Sequence, residues 1–202
     1  MTAQFHDTIL MNEKEFSIVG VNGDGLFTPQ SIGITPVGIM SDCWRGYLCQ
    51  YKVNDNALIL DELKLSFGIY EGSGKERKFI HQTSPAINGV SPNTPTGQFP
   101  AFSNVYERLN LRIQFTGGVL AGDGFIQEFY VHMGFHPAWK YQNVFELLFD
   151  NGKVQEIRDV SEKIEQVRNK MSESSLQPDF LKTSKKEREA WIEKTFRLNY
   201  DL

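Results

Sequence analysis

The sequence predicts a mainly β protein, an antiparallel sandwich or a partly closed barrel, followed by two C-terminal α-helices. Its 15 Phe and 17 Gly residues favour strands and tight turns over a helical bundle. Up to about residue 157, short apolar segments alternate with turn sequences, and after that point the apolar spacing becomes helical. We therefore predict an antiparallel β-domain over residues 1–158 and a helical appendage packed on it over residues 159–202.

Three turn sequences predict β-hairpins. Apolar segments flank Asn12-Glu13-Lys14, Asn54-Asp55-Asn56 and Asn151-Gly152. Asn, Asp and Gly tolerate the positive φ angles that short hairpin loops need. We expect a pair of adjacent antiparallel strands at each of the three places.

Two further segments have the alternation of half-buried strands. YERLNLRIQF, residues 106–115, alternates apolar with polar residues throughout and is the clearest strand prediction in the chain. GFIQEFYVHMGF, residues 124–135, alternates in the same way. Residues 84–104 contain four prolines and show little periodicity, so we predict a long ordered loop before the first of these strands.

The pattern beyond the β-domain predicts two helices. Apolar residues recur at three- and four-residue spacing, as on one face of a helix. Ser184 and Glu187 have the spacing of a capping box, which predicts the start of a second helix carrying Trp191, Ile192 and Leu198. The first apolar stripe consists of Ile157, Val160, Ile164, Val167 and Met171.

Within SDCWRGYLCQYKVNDNALIL, residues 41–60, the part CWRGYLCQYKV, residues 43–53, predicts a central strand, because large apolar groups fall on both of its faces. Cys43 and Cys49 are six residues apart, which is about 20 Å in an extended strand at roughly 3.3 Å per residue. That distance exceeds the reach of a disulfide. We expect two free, buried thiols, which suit a reducing cytoplasm.

Composition and motifs exclude several classes of protein. A net charge of −4 argues against a nucleic-acid binder, because phosphate contacts need a basic surface. No apolar run approaches the roughly 20 residues that span a bilayer, and the N-terminal residues lack the features of a secretion signal. GSGKER and GGVLAGDG match neither a phosphate loop nor a dinucleotide loop, and no nucleophile elbow is present. We predict a cytoplasmic protein with no membrane or nucleic-acid partner and no cofactor.

Arg45 is the unusual member of the predicted central strand. A buried arginine is costly unless it is paired, so a carboxylate should meet it. Glu128 is the first candidate partner, because it shares a predicted strand face with Tyr130 and His132, and Asp42 is the second. If Arg45, Glu128, Tyr130 and His132 meet, they form a candidate ligand-binding site; the alternative is a structural salt bridge.

A metal site is a weak alternative at the same place. Glu128, His132 and His136 are spaced four residues apart, but a metal needs three converging ligands and a strand does not align them. A half-polar sheet face with hydrogen-bonded histidines explains the same residues. We predict no metal here.

Four blocks of the chain resemble, in order, a group of uncharacterised bacterial proteins. The blocks are LFTPQSIGITP, CWRGYLCQYKVNDNALIL, FTGGVLAGDGFIQEFYVHMGFH and VFELLFDNGKVQEI. The group shares an L-F-x-P loop, a C-W-R-G strand, a Y-V-H-M-G-F strand and a closing strand with a G-x-V turn. The resemblance covers roughly residues 25–160 and implies a soluble bacterial protein, but it implies no activity.

Three hypotheses for the function follow. The first is a non-enzymatic bacterial protein that binds another macromolecule, as an immunity protein or an antitoxin does, with aromatics such as Trp139 and Tyr141 as anchors or as core residues. The second is a ligand-binding protein or a small-molecule or metal-dependent enzyme whose β-pocket holds the four polar residues around Arg45. The third is a structural protein that forms homo-oligomers through its C-terminal helices.

Overall fold

A computed structural model describes residues 2–94, 102–169, 184–187 and 200. The fold is mainly β, as the sequence predicts. The strands are β1 (Thr8–Met11), β2 (Lys14–Asp24), β3 (Tyr47–Asn54), β4 (Ala57–Leu65), β5 (Gly68–Glu71), β6 (Lys78–His81), β7 (Asn104–Tyr106), β8 (Leu111–Arg112), β9 (Thr116–Phe125), β10 (Tyr141–Asp150) and β11 (Lys153–Asp159), and the helix is α1 (Ser161–Asn169).

Within the described ranges, nine strands form one large sheet in the order β11-β10-β9-β2-β1-β3-β4-β7, with β8 also paired to β4. The pairings are antiparallel except for the parallel pair of β1 and β3. Strand β11 also meets β4 where Lys153 pairs with Ala57, so the sheet curves far enough for its two flanks to touch. Strands β5 and β6 form a separate two-stranded sheet.

All three predicted hairpins are confirmed. Asn12 and Glu13 join β1 to β2 with φ angles of 49° and 64°. Asp55 and Asn56 join β3 to β4 in the same conformation, and the Asn151-Gly152 loop joins β10 to β11. Two successive residues with positive φ give a loop twist that matches the twist of the strands, which is why these sequences form tight turns.

The predicted strand over residues 106–115 is wrong as a continuous element. Arg108 and Asn110 adopt φ angles of 55° and 45°, which interrupt the extended backbone and leave only the short β7 and β8. The alternation in the sequence is nevertheless real, because Leu109, Ile113 and Phe115 are buried. The apolar pattern predicted burial correctly, but the backbone conformation did not follow from it.

The large sheet separates two apolar clusters. Neighbouring residues on one strand point to opposite faces, so Ile18 lies in the larger cluster and Val19 in the smaller one. The larger cluster is enclosed by the curved sheet and contains Tyr51, Tyr106 and Phe115, each completely buried. The smaller cluster lies outside the sheet, beneath α1, and consists of Val19, Leu120, Ala138, Tyr141, Val144 and Ile164.

The first predicted helix begins four residues later than the apolar stripe suggests. Ile157 belongs to β11 and is 50% exposed, whereas Ile164 is buried against the outer cluster. The Asp159 carboxylate accepts a hydrogen bond from the Ser161 amide, which caps the first turn. Met171 lies outside the described residues.

The predicted capping box at the second helix is confirmed. The Ser184 amide donates to Glu187 Oε2 at 2.7 Å, and the Glu187 amide donates to Ser184 Oγ at 3.3 Å. The helical residues that are described there are 185–187, and the apolar residues predicted for this helix lie outside the described residues. In the described part of the chain, no helix has the length and apolar character needed to cross a membrane.

Candidate functional site

Arg45 and Asp7 form a two-pronged ion pair. Arg45 Nη1 and Nη2 donate to Asp7 Oδ2 and Oδ1 at 2.8 and 2.7 Å. The Cys49 amide also donates to Asp7 Oδ1, at 2.6 Å. Three hydrogen bonds therefore satisfy a buried carboxylate, since the exposed fraction of Asp7 is 7%.

The parallel pairing of β1 with β3 places these residues together. Thr8 pairs with Gln50, so Asp7, the residue before β1, comes beside the Cys49 amide. Gly46, with a φ of 74°, turns the chain ahead of β3, and Arg45 reaches back to Asp7 from that turn. The sequence prediction that Arg45 needs a carboxylate is sound, but the predicted partners Glu128 and Asp42 are wrong.

Aromatic rings enclose the Arg45 guanidinium. Its central carbon lies 4.8 Å from the centre of the Tyr47 ring and 5.8 Å from that of Phe135. Burial disfavours the charged guanidinium, but the Asp7 carboxylate outweighs this and holds the pKa of Arg45 above its ordinary value. Burial also raises the pKa of Tyr47 to about 12. The guanidinium is a permanent charge, and its buried Nε finds no hydrogen-bond partner among the residues that the structure describes.

The two cysteines match their prediction. Cys43 and Cys49 are free and buried. Burial raises the pKa of both thiols, so both are protonated at neutral pH and are poor nucleophiles. Trp44, which follows Cys43, is 47% exposed, because the strand predicted over residues 43–53 begins only at Tyr47.

The predicted strand over residues 124–135 ends at Phe125. The chain then forms a short 3-10 helix at Gln127–Phe129 and an irregular loop, so Glu128, Tyr130 and His132 share no strand face. Glu128 and His132 are exposed, and Tyr130 is 50% exposed. Tyr130 Oη and His132 Nδ1 are hydrogen-bonded at 2.9 Å. Of the four residues predicted for a ligand site, the structure directly joins these two, while Arg45 pairs with Asp7.

His136 is buried, unlike its two predicted co-ligands. Its ring lies 4.7 Å from the Phe125 ring and 5.3 Å from the Tyr130 ring. Within the described residues, no group of three or more His, Cys, Asp or Glu side chains is arranged to hold a metal ion. The weak alternative of a metal on Glu128, His132 and His136 therefore has no ligand set in this part of the chain.

Sequence reasoning missed a buried chain of polar groups at His6, His136 and Lys140. His6 Nδ1 contacts the Ile18 carbonyl at 2.8 Å, and His6 Nε2 accepts the His136 amide at 3.1 Å. Because Nε2 accepts, Nδ1 must carry the proton and donate it. His136 Nδ1 is 3.3 Å from Lys140 Nζ, and His136 Nε2 is buried without a hydrogen-bond partner in the described part of the chain.

Burial shifts the titration of all three groups towards their neutral forms. Burial lowers the pKa of His6 to about 4. Burial and the nearby Lys140 also lower the pKa of His136 to about 4, and burial lowers that of Lys140 to about 8. Both histidines are neutral at pH 7, and Lys140 loses its proton more readily than an exposed lysine. The lysine side chain packs over Trp139, with Nζ 5.2 Å from the ring centre.

Three loops meet beside these groups and are tied together by hydrogen bonds. Ala3 bridges to Gly134, and the Gln4 amide donates to the Gly134 carbonyl at 2.8 Å. The Phe5 amide donates to the Asp42 carbonyl at 2.9 Å, and the Trp44 amide donates to Gln4 Oε1 at 3.1 Å. The N-terminal segment thus connects the loop before β3 to the loop after β9.

The connected loops expose three aromatic side chains, which we call the aromatic platform: Phe5, Trp44 and Tyr130. Their exposed fractions are 48%, 47% and 50%. Trp139 and Tyr141, predicted as anchors or as core residues, are core residues: Tyr141 is buried in the outer cluster and Trp139 packs beside that cluster. Phe5, which sequence reasoning missed, has a signal in the sequence: it stands alone among polar residues ahead of the first strand.

Comparison of the chain with protein-family models, curated proteins and solved structures gave no match. The resemblance to a bacterial group therefore stays a prediction from the sequence blocks that carry it.

Proposed function

We propose that this is a non-enzymatic protein that binds another macromolecule, a bacterial cytoplasmic protein of the immunity or antitoxin kind. The single observation that carries the proposal is the aromatic platform. Aromatic residues supply large contact area at little cost in conformational entropy, and Trp and Tyr are enriched among the residues that dominate binding energy.

The way the platform is held supports a binding role. Side chains on loops normally pay an entropic cost when a partner orders them. Here the backbone of Phe5 is fixed to Asp42 and that of Trp44 to Gln4 by the hydrogen bonds described above. The Asp7–Arg45 ion pair also joins the two segments that carry Phe5 and Trp44. A platform whose backbone is already in place has less ordering to undergo when it binds.

The chemistry of the neighbouring polar groups fits a binder better than an enzyme. The Arg45 guanidinium is paired with Asp7 through both of its terminal nitrogens, and both thiols are protonated. An enzyme that uses covalent catalysis needs a nucleophile beside a base, whereas the guanidinium is held in an ion pair and the two thiols are buried and protonated. Lys140 and His136 are the pair that favours the second hypothesis, a ligand-binding protein or an enzyme, since His136 Nε2 is buried and has no partner among the described residues.

A photo-crosslinking experiment tests the binding proposal. A benzophenone amino acid replaces Phe5 in the full-length protein, which is irradiated in the cells that naturally make it. The control carries the same group at Ile157, which is equally exposed but lies on β11. We expect a discrete crosslinked partner from position 5 and none of that mass from position 157. Identical products from both positions, or none from position 5, would contradict the proposal.

The homo-oligomer hypothesis stays a proposal that the same experiment addresses. A crosslinked product from position 5 with twice the mass of the chain would identify the partner as a second copy. Light scattering of the purified protein across a concentration series would then show the dimer directly.

A further inference from the structure

Tyr200 lies against the outer face of the sheet and forms one wall of a groove. The space left beside it has a volume of about 630 Å³ and opens to solvent between the ends of β2, β9 and β10. Tyr200 Oη donates a hydrogen bond to Glu146 Oε1 at 3.1 Å. The lining includes Asn22, Thr116, Gly118, Glu146, Leu148 and Gln155.

Two glycines make room for the tyrosine ring. A Cβ on Gly118 would lie 2.0 Å from Tyr200 Oη, and a Cβ on Gly20 would lie 2.9 Å from Tyr200 Cδ1. Neither glycine has a positive φ, so the backbone could accept another residue at both positions. A side chain at Gly118 would therefore collide with the Tyr200 hydroxyl, whereas one at Gly20 would meet both the Tyr200 ring and Leu120, whose Cδ1 would also lie 2.9 Å from the new Cβ.

The far end of the groove distinguishes tyrosine from phenylalanine. Glu146 is a buried residue of β10, with an exposed fraction of 8%. Its second oxygen, Oε2, is 3.8 Å from Arg158 Nη1, so the first oxygen is free to accept the phenol. A ring without a hydroxyl would leave that buried carboxylate oxygen short of a donor, which is costly.

We propose that this groove is a tyrosine-recognition site and that the chain's own Tyr200 occupies it as an intramolecular ligand. The two glycines admit the ring, Leu120 packs beside it, and Glu146 accepts its hydroxyl. The proposal is independent of the aromatic platform, because it rests on different residues. It assigns the outer face of β9 a defined ligand, a tyrosine side chain presented by the C-terminal segment.

The direct test supplies the tyrosine on a separate peptide, while the protein keeps its full length. Full-length Tyr200→Ala has an empty groove, and a fluorescein-labelled peptide of residues 196–202 (FRLNYDL) is the probe, read by fluorescence anisotropy. We expect the peptide to bind Tyr200→Ala at least about tenfold more tightly than wild type, where Tyr200 competes. A peptide with phenylalanine in place of the tyrosine should bind at least about tenfold more weakly, because it lacks the bond to a charged acceptor.

The matched control fills the groove. Gly118→Ala, introduced into Tyr200→Ala, should abolish peptide binding, because the new methyl group occupies the position of the phenol oxygen. Urea denaturation checks folding: Gly118→Ala should lower the unfolding midpoint in wild type and lower it much less in Tyr200→Ala. If Gly118→Ala fails to fold, the double variant Tyr200→Ala/Glu146→Gln replaces it as the control. This double variant should prefer the tyrosine peptide over the phenylalanine peptide less strongly than Tyr200→Ala does.

Four outcomes of the peptide experiments would overturn the proposal. They are equal peptide binding by wild type and Tyr200→Ala, no detectable binding by Tyr200→Ala, full binding in the presence of Gly118→Ala, and an undiminished tyrosine preference in the Glu146→Gln variant. Concentration-dependent dimers of wild type that Tyr200→Ala lacks would also overturn it, because Tyr200 would then occupy a second copy.

Discussion

Asp7 and Arg45 are joined by two hydrogen bonds of 2.7 and 2.8 Å across 38 residues of sequence. The pair connects the segment before β1 to the turn before β3. Asp7 also accepts a hydrogen bond from the Cys49 amide of β3. It therefore holds together the two segments that carry Phe5 and Trp44. The geometry of the aromatic platform depends on this pair.

Breaking the pair on one side should cost much of the protein's stability. Arg45→Met leaves the buried Asp7 carboxylate with the Cys49 amide as its remaining described donor, and we expect a loss of about 3 kcal/mol in the free energy of unfolding, measured in urea. Lys14→Met is the matched control, because Lys14 and Asp123 form an exposed ion pair whose loss should cost under about 1 kcal/mol. Equal losses in the two variants would show that the Asp7–Arg45 pair has no special role.

Acid should destabilise the fold through His6. The neutral ring is bonded on both nitrogens, and its pKa is lowered from 6.5 to about 4. The stabilisation is complete above pH 6.5, where the unfolded chain is also neutral, and it is lost as the pH falls from 6.5 to 4. A shift of this size corresponds to about 3 kcal/mol.

The urea midpoint of unfolding is measured for wild type and His6→Gln at about pH 7 and at about pH 4.5. These two values bracket most of the pH range over which His6 should change the stability. Wild type should lose more stability than the variant between the two values, whereas replacing the exposed His81 with Gln should leave the wild-type loss unchanged. A pH dependence that His6→Gln does not reduce would rule out His6 as its source.

The buried Lys140 should be replaceable with a gain in stability. Its exposed fraction is 4%, its described polar partner is the neutral His136, and burial lowers its pKa from 10.5 to about 8. Wild type therefore loses stability as the pH falls from 10.5 to 8, and Lys140→Met avoids that loss. We expect the variant to unfold at a higher temperature than wild type at about pH 7 and to have a smaller advantage at about pH 10. A lower melting temperature at neutral pH would mean that the Lys140–His136 contact stabilises the fold.

Gly23 and Gly117 face each other across β2 and β9, and both are required by the backbone. Their φ angles are 139° and 143°, and a Cβ on Gly117 would lie 2.1 Å from the Asn22 carbonyl oxygen. Gly117→Ala should lower the free energy of unfolding by more than about 2 kcal/mol. Gly33→Ala is the control and should cost about 1 kcal/mol, because Gly33 has a positive φ of 78° but a Cβ there would meet no atom within 4 Å. Similar losses would show that crowding at Gly117 is relieved by movement of the strands.

Local chemistry made the hairpins predictable. Asn12, Asp55 and Asn151 tolerate positive φ, and two-residue turns between apolar segments leave little choice of pairing. The same preference misled the prediction for residues 106–115, because Arg108 and Asn110 take that conformation inside an alternating pattern. Alternation indicates which side chains are buried, and an irregular loop can bury them in the same order.

Sequence patterns did not predict which residues contact the site residues. Arg45 signalled that a carboxylate was needed, but the choice of Asp7 follows from the parallel pairing of β1 with β3, which joins distant segments. The loop after Phe125 was mistaken for a strand, so His136 was not placed beside His6. Tyr200 and Gly118 are likewise distant in the sequence, and only the fold brings the Tyr200 side chain to Gly118 on β9.

The most direct measurement of the binding proposal compares what the platform captures in its natural cells. Tagged wild type, Trp44→Ala/Tyr130→Ala and Ile157→Ala are purified in parallel after their circular dichroism spectra are shown to agree, and the co-purified proteins are quantified by mass spectrometry. The proposal predicts a partner that is retained by wild type and Ile157→Ala and depleted about tenfold or more in the platform variant. A set of co-purified proteins that is the same for all three would contradict it.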